Sequence, residues 1–260
     1  MPNPEEESKI RQAASMRYWW PKLKRCSVPV PETTVIPIRE WEEATQFTEG
    51  VPVPDCTEIT PVIESHGPPA FIRTDQASNK HKMKTSSKVA SSDYETVRDH
   101  VCYLIRFNKM AGFTGLPWRD IVVRDWLNLK HKFKAFEHTP VAAEIRLFIY
   151  NNTVKDYGFY WPEAALEQHF NHTPELPSEW KTKRDQLEQE ALSDVDTVQS
   201  LAQTVAEEFS GYWSIDFAQT TNDGWYAIDM APGIASQKPE GCTKPESLTD
   251  NGLKDVELPV

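Results

Sequence analysis

Asp216 and Asp229 stand in a stretch that reads as one β-hairpin: residues 212–218, a Thr-Thr-Asn-Asp-Gly turn, then residues 225–233. With four residues in the loop the two aspartates lie directly opposite each other. Ser214, Ala218, Trp225 and Ala227 then share their face, and Ile215, Phe217, Tyr226, Ile228 and Met230 form the other. Like charges opposed across a sheet repel, so the pair calls for a cation. Hard carboxylate oxygens suit Mg²⁺ brought in with phosphates, which makes nucleotide chemistry the expectation. The competing reading is two solvated acids on a hairpin.

Several elements must hold such a pair in place. Residues 143–150 alternate with period two, placing Ile145, Leu147 and Ile149 on one face and Glu144, Arg146 and Phe148 on the other, and Asn151-Asn152 turns the chain into residues 154–161. After a polar stretch, Leu192, Val195, Val198, Leu201, Ala202, Val205 and Phe209 predict a helix capped by Ser193 or Asp194 and ended by Gly211. Earlier, residues 71–75 read as a strand end leading into a loop rich in lysine and serine (Ser78, Lys80, Lys82, Lys84, Ser86, Ser87, Lys88). A capping signature at residues 92–95 opens a helix marked by Tyr94, Val97, Val101, Leu104 and Ile105, and residues 121–123 form a short strand. The first 65 residues are rich in proline and acid, with an amphipathic start and a strand at residues 35–38. No internal repeat is present.

Composition bounds the function. The 260 residues can bury a real core, and 26% charged with 39% hydrophobic residues is ordinary for a globular protein. A net charge of -11 argues against general nucleic-acid binding, because phosphate-backbone contacts need a basic surface. Cys26, Cys56, Cys102 and Cys242 are dispersed without a CxxC pair, and no secretory leader is seen, so reduced thiols in a cytoplasmic protein are expected. No apolar run reaches the roughly 18 residues of a membrane span. The seven histidines show no ligand spacing.

Arg73 at a strand end, Lys80 after it, a connector at Arg124-Asp125-Trp126, the strand Glu144-x-Arg146-x-Phe148 and the late pair Asp216 and Asp229 follow one another in an order that resembles the ATP-grasp fold. The likeness covers roughly residues 68–237 and is greatest to compact members, among them small bacterial and phage proteins and a eukaryotic chaperone that assembles a translation initiation factor. It implies an α+β architecture of two lobes, each a mainly antiparallel sheet with helices, clasping Mg-ATP. The expected divisions are a lead-in at 1–59, an N-terminal lobe at 60–123, a C-terminal lobe with the metal site at 124–240 and an acidic tail at 241–260.

The resemblance also implies roles. Arg73 and Lys80 match residues that hold the nucleotide phosphates, and Val123, Arg124, Asp125, Trp126 and Leu127 match the hinge whose main chain meets adenine. Arg146 matches a clamp on phosphate or a substrate carboxylate, suited by its planar fork. Lys80 and Arg146 are the catalytic candidates, Glu144 orients Arg146 or nears the metal, and Asp216 and Asp229 match the Mg²⁺ ligands. Two departures stand out. The family's last metal site commonly places Asn two residues after the acid, where this chain has Ala231, and its phosphate loop is usually glycine-rich, whereas residues 81–92 contain no glycine. The implied activity is ligation of a carboxylate to an amine or similar nucleophile, with small-molecule or peptide substrates. The alternative is a nucleotide-dependent binding or assembly protein with a protein partner. The plain rivals stay open: Glu144 with Arg146 as an ion pair, and Lys80 as one of a solvated lysine run.

Overall fold

Each strand's alternation and each helix's apolar spacing need a partner layer, and the chain supplies two separate ones. The computed structural model describes residues 4–38, 55–78, 87–111, 119–171 and 177–242. In chain order the elements are α1 (Pro4–Ala14), α2 (Met16–Leu23), β1 (Thr33–Pro37), a 3-10 turn (Cys56–Glu58), α3 (Thr60–His66), β2 (Ala70–Thr74), β3 (Lys88–Val89), α4 (Tyr94–Ala111) and β4 (Asp120–Asp125). Then follow β5 (His131–Ala135), β6 (Thr139–Ala142), β7 (Glu144–Tyr150), β8 (Thr153–Phe159), α5 (Glu163–Asn171), α6 (Trp180–Ser193), α7 (Val195–Ala206), β9 (Tyr212–Gln219) and β10 (Trp225–Pro232). Among the described residues no helix is long and apolar enough to cross a membrane.

The chain divides into two compact units that do not follow the contiguous divisions expected from its sequence. One unit comprises Met1–Val30, Asn128–Ala135 and Pro140–Val260; the other comprises Pro31–Leu127 and Phe136–Thr139.

The second unit is built on an antiparallel sheet in the order β1-β4-β2-β3. One face carries the core: Ile36, Ala70, Ile72, Val89, Ile121 and Val123 meet Ile59 and Ile63 together with Val97, Val101, Leu104 and Ile105. Burying such side chains contributes about 1.5–3 kcal/mol each, which is why the helical spacing of α4 is satisfied here. That helix starts at Tyr94 because the Asp93 carboxylate accepts from the Thr96 N–H at 2.9 Å. Asn108 fixes its far end to β2, accepting from the Thr74 hydroxyl at 3.0 Å and donating to the Leu104 carbonyl at 2.9 Å.

The first unit is built on a second antiparallel sheet, in the order β10-β9-β7-β8. Ile145, Leu147, Ile149, Trp213, Ile215 and Phe217 are buried, and α7 packs on β7 and β8. The N-terminal helices belong to this unit: Tyr18 stacks on Trp213 at 5.7 Å, and Lys22 lies over Tyr18 and Phe209. The helix expected from Leu192 to Phe209 is two helices. Leu192 ends α6, and Asp194 spends one carboxylate oxygen on Gln219 Nε2 (2.9 Å) and Trp225 Nε1 (3.2 Å) and makes no side-chain capping bond. The polar stretch before them holds α5 and α6, whose surface ion pairs Lys181–Glu163 and Lys181–Glu167 leave no apolar signal in the sequence.

Candidate functional site

The acidic pair occupies one transverse row of the first unit's sheet. Asp229 pairs in register with Asp216, Asp216 with Arg146, and Arg146 with Gly158, so four neighbouring strands contribute one residue each. The acids oppose each other as expected, but the path to it differs. Thr220 closes a three-residue loop by donating its N–H to the Gly224 carbonyl at 2.9 Å, with Asp223 at a left-handed φ of 62°. A bulge between Ala227 and Asp229 restores the register. Tyr226 therefore pairs with Ala218 on the acidic side of the sheet, while Ala227 pairs with Phe217 on the core side, the reverse of the expected faces.

The opposed acids call for a cation, and the chain supplies one. Arg146 donates from Nε to Asp216 Oδ1 and from Nη2 to Oδ2, both at 2.7 Å, and from Nη1 to the Gln237 carbonyl at 3.0 Å. The Tyr160 ring lies 4.7 Å from the guanidinium. Burial alone would lower the Arg146 pKa, but the charge and hydrogen bonds of Asp216, aided by Tyr160 and Glu144, hold it above its ordinary value. The ion pair of Arg146 is thus with Asp216 across the sheet, rather than with Glu144 along its own strand. Glu144 is buried, pairs in register with Ala218, and accepts from the Tyr160 N–H through its carbonyl at 2.9 Å.

Whether this row fits Mg²⁺ follows from its donors. Among the described residues no group of three or more His, Cys, Asp or Glu could hold a metal by itself. Asp216 already accepts twice from Arg146, yet a carboxylate offers about four lone-pair sites, and Asp229 stands beside it. Two carboxylates meet the usual requirement of Mg²⁺ that arrives with phosphate and water oxygens. The residues fit a nucleotide-borne ion and do not form a free-standing metal centre. Ala231 pairs with Ser214, whose hydroxyl lies 2.6 Å from that of Ser236, so an oxygen stands next to the position where the family pattern has Asn.

The second unit carries the positive residues. Phe71 and Arg73 lie on the face of β2 away from the core, Lys88 pairs with Phe71, and Arg124 pairs with both Phe71 and Thr33. Arg73 Nε donates to the Thr74 carbonyl at 3.0 Å and Arg124 Nε to the Thr33 hydroxyl at 3.1 Å. Lys88 Nζ sits 4.6 Å from the Trp126 ring. Three cations therefore share one sheet face, a field suited to phosphate. Of the other hinge residues, Val123 turns into the core, Asp125 accepts from or shares a proton with His66 Nδ1 at 2.6 Å, and Leu127 is half-buried. Lys80 lies outside the described residues. Lys88, which a reading for loops passes over, is fixed on a strand; the signal is the step from Lys88 to buried Val89, too short to register as alternation.

A sheet that presents paired acids at the chain's end and a separate sheet that presents cations define the ATP-grasp fold. The chain belongs to the ATP-grasp domains: the model of one of their families, the third family of its clade, matches residues 62–251. Among solved structures it is similar to C-terminally truncated Cdc123 from Schizosaccharomyces pombe, with TM-score 0.54 and 12% identity over 87% of this chain and 85% of that one. It is also similar to Cdc123 from the same organism in a second structure, with TM-score 0.51 and 10% identity over 86% and 85% of the two chains. No curated protein matches the sequence.

Proposed function

We propose that the protein uses ATP to activate a carboxylic acid, which an amine or similar nucleophile then captures. A carboxylate oxygen bonds to the γ-phosphorus, the bond from that phosphorus to the bridging oxygen breaks, and ADP leaves with the electron pair. The nucleophile's nitrogen then bonds to the acyl carbon, phosphate leaves with the carbon–oxygen pair, and the nitrogen releases a proton to solvent. The row Arg146–Asp216–Asp229 is the observation that carries this reading. Asp229 and the outer lone pairs of Asp216 would hold Mg²⁺, which supplies charge neutralisation at the phosphates. Arg146 keeps Asp216 oriented and has N–H groups left to meet the transferring group. Arg73, Arg124 and Lys88, with Lys80, would neutralise phosphate, and the main chain of residues 123–127 would meet adenine.

Titration calorimetry with ATP, with and without Mg²⁺, tests the nucleotide site: metal-dependent heat is expected, and none under either condition refutes it. ADP release driven by the small-molecule fraction of a cell extract tests ligation. A second reading, a protein whose ATP-bound form docks a partner with little turnover, is favoured by the engagement of both Asp216 oxygens with Arg146 and by Ala231. Capture of a partner only with Mg-ATP, alongside no ADP release, would establish it.

A further inference from the structure

Past β10 the chain doubles back over the acidic side of the first unit's sheet. The Gly233 N–H donates to the Tyr212 carbonyl at 2.8 Å, Ser236 meets Ser214, the Gln237 carbonyl receives Arg146, and Cys242 Sγ donates to the Tyr157 carbonyl at 3.2 Å. Two close approaches need glycine. A Cβ at Gly158 would stand 2.5 Å from Pro239 Cβ, and one at Gly233 would stand 2.7 Å from the Tyr212 ring. These contacts pin residues 233–242 as a strap.

Lys238 is carried by this strap. Its ammonium lies 5.7 Å from the centroids of both Phe148 and Tyr212, rings that are themselves stacked at 5.7 Å. Among the described residues it makes no ion pair, so its three N–H donors meet only ring faces. The Tyr212 hydroxyl beneath it is buried without a hydrogen-bond partner, a state that costs stability unless something else uses it. Burial, with Asp156 and Cys242 nearby, pushes that hydroxyl up to about 12, so it remains a neutral donor. Asp156, which accepts from the Tyr157 N–H at 2.9 Å, is the register partner of Phe148. The aromatic floor is thus flanked by an ammonium and a carboxylate. Phe148 and Ser214 stand two residues from Arg146 and Asp216 on their strands, which puts the platform about 7 Å from the acidic row.

We propose that Lys238, Asp156 and the Phe148–Tyr212 platform form the binding subsite for an α-amino acid, whose carboxylate meets Lys238 and whose ammonium meets Asp156. The proposal rests on the ligation reading, because it supplies the acid to be activated beside the row. A zwitterion matches both charges at once, and its side chain lies on the rings. Lys238 acts here in substrate selection; nucleotide binding does not depend on it.

The test uses the full chain with Mg-ATP and hydroxylamine, offering each protein amino acid in turn and measuring the hydroxamate that traps an acyl phosphate. At least one amino acid should yield ATP-dependent hydroxamate. Lys238→Met, which keeps the apolar stem on the rings, should raise the KM for that amino acid by about tenfold to a hundredfold and leave the KM for ATP unchanged. Lys238→Arg should restore most of the loss, and the deaminated analogue of the amino acid should be a poor substrate for the wild type. Urea midpoints equal to the wild type's would show that neither variant acts through folding. An amino-acid KM indifferent to Lys238→Met overturns the subsite. So does hydroxamate with no amino acid; if the cell-extract fraction still drives ADP release, ligation survives that failure, and if it does not, both readings fall.

Discussion

Replacing Arg146 with methionine removes the cation of the row and keeps most of the side chain's volume. Asp216, whose side chain is only 4% exposed, is then left facing Asp229 without its two 2.7 Å donors. Breaking a buried pair from one side costs about 3–5 kcal/mol. An independent estimate agrees: carboxylates about 5 Å apart at an effective dielectric of about 20 repel by about 3 kcal/mol. A domain holds only about 5–15 kcal/mol in total, so the single substitution should shift the unfolding midpoint visibly. Urea unfolding of Arg146→Met, Asp216→Asn and the double variant gives the coupling directly. Arg146→Met alone should lose at least about 3 kcal/mol, the double variant should be more stable than Arg146→Met, and the coupling should reach about 2 kcal/mol. A coupling under about 0.5 kcal/mol would refute the claim that Arg146 is the chain's own counter-ion for the opposed acids.

Asp229→Asn removes a metal-binding charge without changing shape, so it should fold as the wild type does and lose Mg-dependent ADP release by about two or more orders of magnitude; unchanged turnover would remove Asp229 from the site. Gly158→Ala forces Pro239 outward and should cost about 1–3 kcal/mol in urea unfolding, with Pro239→Gly restoring much of it. Burial first, then Cys102 and Asp55, pushes the Cys56 thiol from 9.0 up to about 12. Because the folded pKa is raised, the stability this thiol contributes is complete below pH 9 and is lost as pH climbs from 9 towards 12. Cys56→Ala should flatten that decline in the urea midpoint, and Cys56 should resist a thiol reagent at about pH 8 until the protein unfolds.

The parts of the site that a sequence reading captures are those whose placement is decided locally. Alternation in residues 144–150 puts Arg146 and Phe148 on one face because a strand buried on one side has no other arrangement, and the register bears it out. The opposition of Asp216 and Asp229 is also legible, although two features of the hairpin differ. The loop is one residue shorter than expected and a bulge at Ile228 adds that residue back, so the acids still meet while the faces of Tyr226 and Ala227 exchange. Bulges are set by what packs above the strand, which the local pattern does not encode. The strap is illegible for a similar reason: Gly158 and Pro239 matter only because residues 81 positions apart in the chain touch.

The largest omission is the link between two features that the sequence shows separately. Opposed acids on a hairpin call for a cation, and Arg146 is a basic residue on a strand, yet nothing local joins them; β7 pairs with β9 across roughly 70 residues of intervening chain. A more general expectation follows from the energetics. Two carboxylates facing each other in a sheet repel by several kcal/mol, so the third strand of that sheet is where a guanidinium does most to stabilise the fold, since its fork reaches one carboxylate with two parallel bonds. With the row then at a net charge near minus one, a single bound divalent ion reverses its sign and turns it towards phosphate. A second ion would leave the row strongly positive, with Arg146 already committed. The same guanidinium that lets the empty row fold therefore limits how much metal the row can use, and a measured stoichiometry of two Mg²⁺ held by this row per bound ATP would break that argument.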